Sequence, residues 1–139
     1  MAIKFSPKVG QILMCDFYGL KQPEMVKNRP VLVVGTKPDG HQLVTVVALS
    51  TVAPEKPQNY HMQLEDNQLP RNKFFSRGTT WVKADMIYTL SFERFNYVSL
   101  GVDNGKRVYF KNRLGRESMK KVYSCVLHGL HLGNLSDHL

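Results

Sequence analysis

The feature that most constrains this chain is a succession of short β-branched runs, each closed by a turn, followed by one stretch of helical periodicity. Gln11–Phe17 follows Gly10 and stops at Tyr18-Gly19, which predicts a strand. A polar loop then runs from Gly19 to Asn28, holding Pro23, Glu24 and Lys27. Pro30–Gly35 is β-branched and opened by Pro, a position strands tolerate. After the turn Lys37-Pro38-Asp39-Gly40 comes Leu43–Leu49, ending at Ser50-Thr51, and then the alternating Tyr60–Leu64. Leu69–Gly78 reads as a basic, aromatic loop, and Thr79–Leu90, rich in Thr, Trp, Val, Ile and Tyr, as a fifth strand. Tyr97–Val102 and Val108–Lys111 flank Asp103-Asn104-Gly105-Lys106, a strong hairpin signal. Met119, Val122, Tyr123, Val126, Leu127 and Leu130 then recur at helical spacing, with Gly133 placed to stop the helix. Many short strands closed by one helix predict a small β-barrel or strongly twisted sheet, because a flat sheet of this size leaves its edges open.

The length of 139 residues, without repeats or a linker, fits one domain spanning 1–139 that folds without disulfide or metal. No apolar run approaches the ~20 residues that span a bilayer. Met1–Pro7 has no apolar core preceding a cleavage site, so a cytoplasmic protein without membrane attachment is expected. Cys15 and Cys125 both lie in apolar stretches and read as buried free thiols, since neither has a second thiol nearby for a metal knuckle or a redox pair. The net charge of +8 suits a polyanionic partner. That charge belongs to the body of the domain, since no Lys or Arg follows Lys121.

Gly-rich phosphate loops, His-Glu-x-x-His and nucleophile elbows are absent from the sequence. His128, His131 and His138 are loosely spaced without a carboxylate on their face, and read as exposed helix histidines. What remains are polar residues at strand ends. Arg29 stands where the first loop enters a strand, and Ser50 and Thr51 stand where another leaves the sheet. Lys83 and Asp85 interrupt an apolar strand two residues apart, hence on one face. Taken singly, each is equally read as an ion pair, a turn former or a solvated face, and together they support only a basic β-barrel suited to nucleic acid.

Four segments in order narrow this. Val9-Gly10-Gln11-Ile12-Leu13 through Asp16-Phe17, Pro23–Val34 with Arg29-Pro30, Val46–Thr51, and Trp81-Val82-Lys83-Ala84-Asp85-Met86 together resemble the MazF/PemK family of toxins from type II toxin–antitoxin systems. The resemblance covers roughly residues 8–92, and the family also has a terminal helix. It implies a mostly β, SH3-like small barrel with a C-terminal helix, usually a homodimer. The implied activity is a cofactor-free, metal-independent endoribonuclease. It cuts single-stranded RNA at short sequences by attack of the ribose 2′-OH on the adjacent phosphate, leaving a 2′,3′-cyclic phosphate and a 5′-OH.

On this resemblance, Arg29 is the phosphate clamp, its planar fork matching two phosphate oxygens. Ser50, where the family commonly has Thr, donates to the phosphate, with Thr51 able to substitute. Asp85 and Lys83 correspond to the Asp and Arg some members use as base and acid; Lys here supplies a point charge rather than a fork. Glu24 and Lys27 lie in the loop the family uses near RNA. Tyr18, Phe74, Phe75 and Arg77 are candidates for stacking and backbone contacts to bases. The implied partner is an antitoxin whose acidic, partly disordered tail lies in the RNA groove. The alternative is a non-enzymatic protein of the same fold, either an RNA-binding module or a toxin acting on a protein target as the related CcdB does.

Overall fold

Consecutive apolar residues on adjacent strands demand a sheet covered on both faces, because neighbouring side chains of a strand point oppositely. In the computed structural model, which describes residues 3–4, 6–38, 41–72, 75 and 79–139, Ile12 and Leu13 are both buried, as are Val31, Leu32 and Val33. The strands are β1 (Ile12–Asp16), β2 (Asn28–Thr36), β3 (Leu43–Ser50), β4 (His61–Leu64), β5 (Thr80–Ser91), β6 (Phe95–Asp103) and β7 (Lys106–Phe110). They form one antiparallel sheet in the order β4-β5-β3-β2-β1-β6-β7. The mostly β class is as expected. The barrel is an open sheet, with β4 and β7 at its two ends rather than paired.

One face carries Ile12, Leu32, Val47, Leu49, Val82 and Ala84, and is covered by Met119, Val122 and Cys125 of helix α1 (Arg116–Gly129). The other gathers Leu13, Cys15, Phe17, Val31, Val33, Val44, Val46 and Phe95, closed by Ile3 and by the loop residues Leu20 and Met25. Both thiols are buried and free, and burial pushes Cys15 up to about 12 and raises Cys125 as well. Bulges bend the sheet at Val33/Gly35, Val47/Ala48 and Ser99/Gly101. The middle one is the largest. β3 pairs Val47 with Ile87 but Ala48 with Lys83, so Ala84, Asp85 and Met86 loop out of that ladder. Ala84 donates its N–H to the Tyr60 carbonyl instead, at 3.0 Å.

The helix ends earlier than the position of Gly133 predicts. Its last turn closes at Leu130, with Leu132 N–H donating to the Leu127 carbonyl (2.7 Å) and His131 N–H to the His128 carbonyl (3.0 Å). That is a Schellman motif whose left-handed position is taken by His131, at φ 62°. Gly133 instead opens a 3-10 turn, Gly133–His138. Leu130, expected on the packed face, is the C-cap residue and is 51% exposed, while Cys125 takes an inward place. Gly129 permits the docking of α1 on β5: a Cβ there would stand 2.7 Å from the Ala84 carbonyl oxygen and 3.0 Å from Asp85 Cα. Among the described residues no helix is long and apolar enough to cross a membrane.

Candidate functional site

Antiparallel register places side chains from different strands on one face at one level. β2 pairs Val31 with Ala48 of β3, which brings Arg29 level with Ser50 at the ends of the two strands. β5 continues the arrangement, with Ala48 opposite Lys83 and Ser50 opposite Trp81. Arg29, Ser50 and Lys83 therefore share a face. Between them and the loop after β1 lies a cleft of about 340 Å³, lined by Glu24, Met25, Lys27, Arg29, Ser50, Thr51 and Lys83, among others. Six of the residues singled out from the sequence thus meet at one place. Three cations face one carboxylate there, and the Arg29, Lys83 and Thr51 side chains take part in no hydrogen bond or ion pair among the described residues. Such a cleft suits an anion held against a sheet end.

Each wall has a local cause. Ser50 ends β3 in a tight turn, its Oγ accepting from Val52 N–H and donating to the Val52 carbonyl, both at 3.1 Å. The accepted bond anchors the oxygen, while the hydroxyl hydrogen can leave the Val52 carbonyl for a stronger acceptor. Opposite, Glu24 folds its own loop: Oε1 accepts from Lys21 N–H, and Glu24 N–H donates to the Lys21 carbonyl, both at 2.8 Å. Tyr88 Oη accepts from Met25 N–H at 3.0 Å, tying this wall to β5. Burial raises the Tyr88 pKa, and the charges of Glu24 and Asp85 add to the shift.

The remaining candidates lie elsewhere. Asp85 is exposed within the β5 bulge and does not line the cleft. Burial still alternates from Val82 to Asp85, so Asp85 points away from the helix side as Lys83 does, but it stands in the stretch between Lys83 and Ile87 that has no partner on β3. Asp85 keeps only an electrostatic reach to the Tyr88 hydroxyl. Tyr18 is 82% exposed beyond the cleft lining, on a turn braced by Arg94, whose Nη1 donates to the Asp16 and Tyr18 carbonyls at 3.0 and 2.8 Å. Phe75, expected as a stacking ring, is 5% exposed and belongs to the helix-side core. Phe74 and Arg77 lie outside the described residues. A wider hollow lined by Glu65, Asp66, Arg71 and Phe75 holds none of the catalytic candidates. Two residues of consequence escaped the sequence reading. Tyr88 latches the loop. Trp81 is half-buried directly opposite Ser50, its Nε1 donating to Thr79 Oγ1 at 3.1 Å.

The fold and the sequence both match known proteins. The family described as PemK-like, MazF-like toxin of type II toxin–antitoxin system matches residues 8–129. The uncharacterised protein YifN of Escherichia coli (strain K12) is 36% identical over 69% of this chain and 76% of its own length. MazF from Deinococcus radiodurans shares the fold at a TM-score of 0.63 and 15% identity, covering 92% of this chain and 99% of that one. An endoribonuclease from a mycobacterial species, solved in complex with its cognate antitoxin, does so at 0.57 and 20% identity, covering 91% and 96%. The structural likeness at these identities speaks for the fold. The family match takes in every element from β1 to the end of α1, cleft included: this chain belongs to the PemK-like, MazF-like toxins of type II toxin–antitoxin systems.

Proposed function

We propose that this chain is the toxin of a type II toxin–antitoxin pair, a metal-independent endoribonuclease that cuts single-stranded RNA within the Arg29–Ser50–Lys83 cleft. The observation that carries this reading is the convergence of Arg29, Ser50, Thr51 and Lys83 from three neighbouring strands into one electropositive cleft. The ribose 2′-oxygen attacks the adjacent phosphorus. The 2′-O–P bond forms and the P–O5′ bond breaks, giving a 2′,3′-cyclic phosphate and a 5′-OH. Arg29 holds two non-bridging oxygens through the charge that develops on them. Ser50 or Thr51 donates a further hydrogen bond. Lys83, which lines the cleft, supplies the proton to the departing 5′-oxygen. A carboxylate takes the 2′-proton. Glu24, in the wall, is nearer to hand than Asp85, which would need to act from the bulge.

Side chains fill every role in this scheme, so cleavage is expected to proceed in EDTA. Wild-type protein with a long RNA should yield fragments ending in cyclic phosphate, and Arg29→Ala should not. Intact RNA, or equal cleavage by both proteins, would count against the reading. Intact RNA with growth arrest on expression would favour a toxin acting on a protein target. The hydroxyl of Ser50, engaged twice with Val52, is the observation on that side. The cationic cleft also suits an acidic antitoxin tail, and an antitoxin accompanies the mycobacterial structural relative. A cytoplasmic homodimer is part of the same reading.

A further inference from the structure

The cleft leaves much of the positive charge unexplained. Residues 97–116 carry Lys106, Arg107, Lys111, Arg113 and Arg116 against Asp103 alone, and all five cations are exposed. The β6–β7 register orders part of them. Val98 opposes Phe110 with both side chains buried, so the next pair, Ser99 and Tyr109, faces the other way. Arg107, Tyr109 and Lys111 alternate along that outward face, and Lys111 Nζ sits 4.9 Å over the ring of the half-exposed Tyr97. Tyr109 is 40% exposed between the two cations.

Alternate residues on a strand stand about 6.5–7 Å apart, a rise comparable to the spacing of phosphates along a single strand. A cation, a ring and a second cation at that repeat suit a flexible nucleic-acid strand, whose phosphates meet the cations while a base stacks on the tyrosine. A duplex would offer its phosphates but keep its bases from Tyr109. We infer that the Arg107–Tyr109–Lys111 strip, with Tyr97, is a second binding site for single-stranded RNA, holding the substrate away from the cut. The choice of RNA rests on the proposed cleavage, but the strip's binding does not require it.

The test uses the full chain and a fluorescent single-stranded 2′-O-methyl oligoribonucleotide, which lacks the attacking hydroxyl and stays uncut. Tyr109→Ala should weaken binding about tenfold, and Tyr109→Phe should restore it. Arg107→Ala and Lys111→Ala should each flatten the dependence of log affinity on log salt by about 0.7. Wild-type affinity and salt slope in all three alanine variants would overturn the site. So would a change in molecular mass by light scattering in these variants, which would assign the strip to a contact between copies. Loss of an Asp/Glu-rich peptide's binding in place of the oligonucleotide's would assign it to a protein tail and equally overturn it. Binding through the strip by a protein that leaves natural RNA uncut would sink the cleavage reading and keep this one. Cleavage lost in Arg29→Ala, with oligonucleotide binding unmoved by Tyr109→Ala, would do the reverse.

Discussion

The two faces of β5 do opposite work with neighbouring residues. Val82 and Ala84 are fully buried under α1, while Lys83 between them lines the cleft. The helix-side core is redundant, built from many side chains on several elements that exclude water together. The cleft depends on single copies of Arg29 and Lys83, held in register by the strands and exempt from the packing. A core of this kind sets stability, and a cleft of this kind sets chemistry, so substitutions in the two regions should separate cleanly. Leu32→Ala, at a fully buried position of the core, should cost about 2–5 kcal/mol in urea unfolding. Arg29→Ala, at the half-exposed end of the same strand, should stay within about 0.5 kcal/mol of wild type.

The boundary between the regions is the β5 bulge, and Gly129 packs directly against it. Gly129→Ala forces a Cβ against the Ala84 backbone and should destabilise by about 1–3 kcal/mol, read by thermal melting. Because the bulge carries Lys83 at one edge, this core-side change should also slow RNA cleavage, which Leu32→Ala should affect only through the folded fraction.

A smaller effect belongs to the cleft wall. Tyr88→Phe keeps the ring, tilted at 4.9 Å from Phe17, but removes the acceptor for Met25 N–H. It should cost about 0.5–1.5 kcal/mol and speed hydrogen exchange at the Met25 amide. Slow exchange at Met25 in that variant would mean that the loop needs no latch.

The least effect is expected from the thiols. Folding raises Cys15 from 9.0 to about 12 because burial disfavours the thiolate. The neutral thiol favoured by the fold contributes stability below about pH 9, and that contribution is lost as pH rises toward 12. Cys15→Ser should make unfolding less steep in that window. At neutral pH neither thiol of the folded protein should react with a soluble disulfide reagent, while both should react once unfolded.

Most of the architecture was legible from the chain because many residues repeat the same message. The β-branched runs, the Asn-Gly hairpin and the helical spacing each rest on several positions, and all appear as strands, turn and helix. Readings that hung on one residue fared differently. Gly133 carries a stop signal, yet the helix closes through His131, which takes the left-handed position two residues earlier. Phe75 sits in a basic, aromatic stretch that resembles a stacking surface, but a large ring gains more from the core. Nothing in Ala84-Asp85-Met86 marks a bulge, and the groups that meet it, Gly129 and the Tyr60 carbonyl, lie far away in sequence. Arg29 and Ser50 were each readable as strand-end residues. That they stand level across two strands follows from the β2–β3 register, which a single strand does not encode.

The cleft's role rests most directly on Arg29. Single-turnover cleavage of one RNA should be compared for wild type, Arg29→Lys and Arg29→Ala, each shown by melting to be folded. Loss of the clamp should slow Arg29→Ala about 100- to 1000-fold. Arg29→Lys should fall between the two, because a point charge replaces a fork. Cleavage by folded Arg29→Ala at the wild-type rate would contradict the account.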